Sequence, residues 1–249
     1  MSIVKRICIN VFKNTVLLYL RIKYLIQNNN KMKSNYYKQV SIPVGNVLLK
    51  GELFVPENAN GIIIFSHGSG SGRLSKRNQL VAKFLQEKNF GTLLFDLLTE
   101  NEDQYFHNRF NIRLLTERLI GSTTWLEMQP VATGISIGYF GASTGAASAI
   151  NAAAVIKQVA AVVSRGGRPD LASAKLNELE CPTLFIVGSL DYDVLKLNMD
   201  ALSKLHCEKK LEIVEGATHL FEEKGTIEKV CEIAYSWFEK HLHPIEEMN

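Results

Sequence analysis

Ser143, Asp191 and His219 have the types and the order that acyl transfer through a serine requires. Ser143 stands at the centre of Gly141-Ala142-Ser143-Thr144-Gly145, Asp191 ends Gly188-Ser189-Leu190-Asp191, and His219 ends Gly216-Ala217-Thr218-His219. A serine hydroxyl is a weak nucleophile at neutral pH. An imidazole must take its proton, and an acid must fix the tautomer of that imidazole and stabilise the imidazolium. The glycines two positions either side of Ser143 also have a physical reason. A serine on a strained turn between a strand and a helix is lifted clear of the sheet, and bulk at the flanking positions would hold strand and helix apart. Each residue has a plainer reading as well. Ser143 is a good N-cap for the helix that follows. Asp191 could cap the next helix, and Asp193 competes with it for the acidic role, although Asp191 comes first in the loop. His219 could be an ordinary loop histidine.

The hydrophobic pattern shows which elements must position these groups. Residues 135–140 are apolar, β-branched and aromatic, as in a strand, and residues 144 to about 154 form a helix of small side chains. Upstream, 36–44 and 47–55 flank Gly45-Asn46 as a hairpin, and 62–65 is a continuous apolar run of the kind buried on both faces of a sheet. A helix is expected at 76–88, a strand at 91–97, and one long helix from about 108 to 128, closed by Pro130. Strands at 159–164, 182–188 and 210–214 alternate with helices at 194–205 and 226–241. The alternation specifies an α/β fold: a mostly parallel twisted sheet with helices on both faces and an antiparallel N-terminal hairpin at one edge. There is no insertion long enough for a large cap domain; at most 99–109 could drape over a site. In such sheets the useful loops lie at the carboxyl ends of strands, which is where Ser143, Asp191 and His219 fall.

The same logic places an oxyanion hole. One donor should be the N–H of Thr144, the residue after the nucleophile. The other should come from His67-Gly68-Ser69-Gly70, the loop after the 62–65 strand, with the N–H of Ser69 the first choice and Gly70 the next. His67 reads as a structural residue that bonds the loop backbone. Arg165 and Arg168 follow the 159–164 strand, and two readings stand for them. They border the pocket and attract a carboxylate or phosphate, or they pair with surface acids such as Asp170. Arg73 is a further candidate for the pocket wall.

Five stretches together resemble an α/β-hydrolase over about residues 36–243, and within that superfamily the small dienelactone-hydrolase-like proteins. They are Ser66-His67-Gly68-Ser69-Gly70-Ser71-Gly72-Arg73, Phe95-Asp96-Leu97-Leu98-Thr99, Gly141-Ala142-Ser143-Thr144-Gly145-Ala146-Ala147, Ser164-Arg165-Gly166-Gly167-Arg168-Pro169-Asp170 and Gly216-Ala217-Thr218-His219-Leu220-Phe221. Dienelactone hydrolases proper use a cysteine nucleophile; here position 143 is Ser. The resemblance therefore implies a general ester or thioester hydrolase with the nucleophile, acid and base in the order Ser143, Asp191, His219. No metal or organic cofactor is implied. Some proteins of this kind resemble a module fused to a phosphoribosyltransferase, and no stretch here reads as that second module. The alternative from another class is a non-catalytic binding or scaffold protein on the same fold.

Composition narrows the rest. With 46% hydrophobic and 21% charged residues, the chain is an ordinary globular protein long enough for one sizeable domain. Its net charge of +3 misleads. Seven of the 28 basic residues lie within 1–33, where there is no acid, which leaves 21 basic against 25 acidic, a net of −4, for the remainder. The body thus carries no electrostatic footprint for nucleic acid. Residues 1–35 read as a basic extension before a domain at 36–249. The extension is a membrane-surface helix, a helix docked on another protein, or a segment upstream of the true start at Met32. Four cysteines without a C-x-x-C pattern fit a reducing, cytoplasmic setting. A small-molecule ester is the expected partner, and the oligomeric state is left open.

Overall fold

Apolar runs build the middle of one eight-stranded sheet. The computed structural model describes residues 35–243, so the expected extension over 1–35, with its membrane-surface reading, lies outside them apart from Asn35. The strands are β1 (Tyr36–Val44), β2 (Val47–Val55), β3 (Ile62–Ser66), β4 (Gly91–Phe95), β5 (Ile137–Ala142), β6 (Val159–Arg165), β7 (Thr183–Gly188) and β8 (Lys209–Val214). Their spatial order is β1-β2-β4-β3-β5-β6-β7-β8. β1 and β2 are antiparallel, β2 joins β4 antiparallel, and every pairing from β4 through β8 is parallel. The edge hairpin closes through Gly45-Asn46, with Val44 opposite Val47 and Gly45 at φ 59°. That is a two-residue reversal with glycine where the positive φ falls.

Period-two alternation sorts the core into two layers. Ile62, Ile64, Leu93, Tyr139 and Phe185 face one way, against α3 (Ile112–Glu127), α4 (Thr144–Val155) and α5 (Tyr192–Lys204). Ile63, Phe65, Leu94, Phe140 and Ile186 face the other way, against α1 (Lys76–Glu87) and α6 (Thr226–His241). The second helix in chain order is the four-residue α2 (Glu100–Asp103), opened by a Thr99–Glu102 capping box. Among the described residues no helix is long and apolar enough to cross a membrane.

Two expected boundaries shift for local reasons. The long helix at 108–128 is divided into a 3₁₀ turn at Phe106–Phe110 and α3, because the Asn111 side chain accepts the Leu114 N–H at 3.1 Å and caps the second piece. The strand before Ser143 runs to Ala142 instead of Phe140, since its pairing with β6 extends through Ala142 and Arg165. The 99–110 segment folds on itself through Arg109, which binds the Asp103 carboxylate at 2.9 and 3.0 Å. It reaches the 66–73 loop, with the Arg109 guanidinium 3.9 Å from where a side chain on Gly70 would begin.

What matters for the site is the switch in direction at β3. From β3 the chain crosses to β4 on one side, while β5 lies on the other side and leads on to β6, β7 and β8. The loops after β3 and β5 therefore diverge, with Ser66 beside Gly141 at the last register position, and a crevice opens between them.

Candidate active site

β5 ends at Ala142 and α4 begins at Thr144, so the turn is made at Ser143. Its backbone sits at φ 51°, ψ −122°. Such a conformation costs an L-residue on the order of 1–3 kcal/mol and persists only where its surroundings dictate it. Hydrogen bonds do so here. The Ser143 N–H donates to the Arg165 carbonyl at 3.1 Å, and the Ser143 carbonyl accepts from the N–H groups of Ala146 and Arg168, each at 3.1 Å. The flanking glycines are sterically required. A Cβ on Gly141 would lie 2.5 Å from the Ala146 Cα, and one on Gly145 would lie 2.1 Å from the Ser66 carbonyl oxygen.

Ser143 occupies the N-cap position of α4 and makes no cap hydrogen bond. Its Oγ instead lies 3.3 Å from His219 Nε2, and His219 Nδ1 lies 2.6 Å from Asp191 Oδ2. An ionised carboxylate can only accept, so the proton belongs on Nδ1 and the Nε2 lone pair faces the serine hydroxyl. Asp191 likewise sits at the N-cap of α5 without capping it, and Asp193 is exposed in the first turn. The imidazole is 37% exposed and the Asp191 side chain 13%, so the ring meets the open crevice while the acid behind it is sheltered. The His219 loop is held by Thr218, whose N–H and hydroxyl donate to the Glu223 carboxylate at 3.2 and 2.6 Å. The Thr218 hydroxyl bond holds the Glu223 carboxyl below its ordinary range. Gly166 adjoins the imidazole at φ 51°, a backbone conformation that favours glycine, although a Cβ there would make only an ordinary 3.5 Å contact with the ring.

The loop after β3 presses on the same turn. A Cβ on Gly68 would lie 3.0 Å from the Ser143 Cβ. His67 anchors the loop: its Nε2 accepts the Leu97 N–H at 2.9 Å, and its Nδ1 donates to the Gly68 carbonyl at 3.0 Å. Both ring nitrogens are engaged, which fixes the neutral tautomer, and burial pushes the His67 pKa below its ordinary 6.5. The Thr144 N–H, at the first helical position, has no carbonyl within α4 to bond. Ser69 differs from expectation. Its N–H is not free but donates to the Thr144 hydroxyl at 2.9 Å, because the loop packs directly on the start of α4.

The arginines separate. Arg73 turns away to Asp96, donating its N–H to Oδ1 at 2.8 Å and pairing its guanidinium with Oδ2. Arg168 takes the surface-acid reading, with Nε and Nη2 on the two Asp170 oxygens at 2.8 and 2.7 Å. Gly70 sits at φ 67°, at a bend of its loop. None of these three lines the crevice, a cavity of about 230 Å³ bordered by Ser143, His219, Gly68, Ser69 and Arg165. Arg165 does line it. The hydrophobic strand preceding Arg165 carried no signal that its side chain would be buried here. Sequence reasoning also missed Phe221, buried at φ 54° beneath the Arg165 guanidinium at 5.7 Å. Among the described residues no group of three or more His, Cys, Asp or Glu side chains is placed to hold a metal ion.

The sequence profile of the dienelactone hydrolase family matches residues 49–242, a span that contains the whole crevice. The chain belongs to the dienelactone hydrolase family. Two curated relatives, from two strains of Mycobacterium tuberculosis and both provisionally named phosphoribosyl transferases, are 50% identical to it over 206 residues. The match covers 82% of this chain and 46% of each relative, so the chain spans about half the length of the curated relatives it matches. A crystal structure of a dienelactone hydrolase from Anabaena variabilis superposes with a TM-score of 0.82 at 47% identity, over 84% of this chain and 100% of that one. An esterase from Pyrococcus furiosus has the same fold, with a TM-score of 0.66 at 18% identity, over 83% of this chain and 93% of its own. The chain thus carries the α/β-hydrolase fold of its family.

Proposed function

We propose that this protein is a serine hydrolase that cleaves a small carboxylic ester or thioester through an acyl-enzyme on Ser143. The observation that carries the reading is the continuous set of contacts from Ser143 Oγ to His219 Nε2 at 3.3 Å and from His219 Nδ1 to Asp191 Oδ2 at 2.6 Å. In the first half-reaction His219 Nε2 takes the Ser143 proton as Oγ attacks the carbonyl carbon. Asp191 stabilises the imidazolium, and Nε2 returns the proton to the leaving alkoxide or thiolate. In the second half-reaction Nε2 takes a proton from water as that water attacks the acyl-enzyme, and then protonates Ser143 Oγ as it leaves. The Thr144 N–H receives the developing oxyanion. The Ser69 N–H joins it once the oxyanion displaces the Thr144 hydroxyl. A 3.3 Å serine–imidazole separation fits a free enzyme, in which such bonds are commonly long. A reducing, cytoplasmic setting is part of the same proposal and rests on the cysteine pattern of the sequence.

A second reading, a non-catalytic binding protein on this fold, is favoured by one observation: the Ser69 N–H is already bonded to the Thr144 hydroxyl. Turnover of p-nitrophenyl acetate and butyrate, beside labelling by a fluorophosphonate, separates the two. The hydrolase reading expects labelling at Ser143 and a loss of kcat of about 10⁴-fold or more in Ser143→Ala. Unlabelled Ser143, or equal rates in parent and variant, would leave the binding protein as the answer.

A further inference from the structure

The crevice beside Ser143 holds a positive charge with no acidic partner among the described residues. Arg165 is 7% exposed, makes no ion pair among the described residues, and has one hydrogen bond from its guanidinium, Nη2 to Asn78 Oδ1 at a long 3.4 Å. Its buried Nε has no partner. The Phe221 ring below it offers partial compensation through its π face. The charged neighbour it feels most is another cation, Arg77; burial first and Arg77 second bring the guanidinium down to about 10, still cationic at neutral pH. Guanidinium groups are almost never buried without an anion, because desolvation is unfavourable and five N–H donors go unused. Its own carbonyl accepts the Ser143 N–H, which ties the backbone of Arg165 to the nucleophile turn.

The surroundings describe the missing anion. Arg77, Ser71 and Ser75 line the same cavity, and among the described residues no Asp or Glu does. Arg77 is held by Glu222 at 2.8 Å in a pair whose acid is largely exposed and which is therefore weak, and the buried Arg77 Nε has no partner among the described residues. The Ser75 Oγ accepts the Asn78 N–H at the start of the twelve-residue α1, which leaves its own proton for a ligand. α1 has no acidic residue in its first turn. A single planar carboxylate would be satisfied by one face of Arg165. Two guanidiniums and two hydroxyls around one cavity match the charge and the several acceptors of a tetrahedral, doubly charged group instead.

We propose that Arg165 and Arg77 form a seat for a phosphate group carried by the substrate, so that the enzyme cleaves esters whose acid or alcohol part is phosphorylated. The cleaved bond and the role of Ser143 are those of the serine-hydrolase reading, on which this inference rests; the phosphate is held and not transferred.

Inorganic phosphate binding to the Ser143→Ala full-length chain, followed by calorimetry, tests the seat without requiring turnover. Binding should be saturable, raise the melting temperature, and weaken at least tenfold in Arg165→Met on the Ser143→Ala background. Arg77→Gln, whose side chain lies toward the surface, should weaken it about threefold, and it decides the matter if the Arg165 variant does not fold. Succinate should bind at least tenfold more weakly than phosphate. In the parent, the p-nitrophenyl ester of phosphoglycolate should exceed that of glycolate at least tenfold in kcat/KM. Unchanged phosphate binding in Arg165→Met, or in Arg77→Gln where that variant decides, overturns the seat. Equal binding of succinate overturns the choice of phosphate, and equal kcat/KM for the two esters overturns the substrate assignment. Phosphate binding without hydrolysis of either ester would instead refute the hydrolase reading and retain the seat.

Discussion

Gly145 offers a sharp test of how the nucleophile turn is built. In Gly145→Ala the new methyl would fall 2.1 Å from the Ser66 carbonyl oxygen and 2.4 Å from that of His67. Ordinary contact begins at 3.4 Å, so β3 and α4 must separate by about 1.3 Å. Both obstructing atoms are backbone, and no rotamer change relieves them. Overpacking of this kind costs about 3 kcal/mol, which for a domain of this size lowers the melting temperature by roughly 6–12 °C. The opening also moves the 66–70 loop away from Ser143 and Thr144. Misplacement near 1 Å in an acyl-transfer site lowers kcat by about 100-fold. Gly134→Ala is the control. Gly134 has φ 72° with nothing within 4 Å of its missing side chain, so it should lose only about 1 kcal/mol, or roughly 2–4 °C, and keep its kcat. Thermal melts and p-nitrophenyl acetate turnover on both variants decide the matter. A Gly145→Ala protein that melts with the control and retains more than about half the parental rate would refute the close-packing argument.

Two further outcomes follow from the same geometry. Asp191→Asn leaves the packing intact but presents an amide to His219 Nδ1, which is then free to take the wrong tautomer; kcat should fall about 10⁴-fold with an unchanged circular dichroism spectrum, and a loss below tenfold would remove Asp191 from the mechanism. His67 gives a pH signature. Burial lowers its pKa below the ordinary 6.5, so the unfolded chain binds more protons than the folded one once pH falls under that value. The stability it contributes is complete above pH 6.5 and is lost as pH falls, at up to about 1.4 kcal/mol per pH unit. Urea midpoints at pH 7.5 and about pH 5 should converge in His67→Gln relative to the parent, and parallel shifts in the two proteins would show that His67 is not the group responsible.

Much of the architecture is written in local pattern. The continuous apolar runs of β3, β5 and β7 announce strands buried on both faces, and the glycines around Ser143 announce a turn that tolerates no side chain. The order of Ser143, Asp191 and His219 at strand ends already identifies a group that could meet. What pattern cannot carry is the pairing of long side chains. Arg73, Arg165 and Arg168 look alike in the sequence, yet Arg73 finds Asp96 after the neighbouring strand, Arg168 finds Asp170 two residues on, and Arg165 finds no acid among the described residues. Only the spatial neighbours of each guanidinium distinguish them. The Ser69 contact to Thr144 escaped for the same reason, being a bond between residues 75 positions apart. The division at Asn111 was legible in principle, since Asn is a strong N-cap, but the helical run on both sides concealed it.

The site is also divided along the chain in a way the sheet makes useful. Ser143, the 66–70 loop and Arg165 belong to the strands up to β6, whereas Asp191 and His219 belong to β7, β8 and their loops. The seam is the parallel pairing of β6 with β7, from Val162 beside Thr183 to Arg165 beside Ile186, and the intervening Ser173 and Ala174 are exposed. A chain nicked there yields two fragments, neither of which holds both nucleophile and base. A slip of two residues along that seam would carry the imidazole about 6–7 Å from Ser143, well beyond proton-transfer reach. Ester turnover by a mixture of the two fragments would therefore act as a ruler for strand alignment, sensitive to a misregistration that leaves the secondary structure intact.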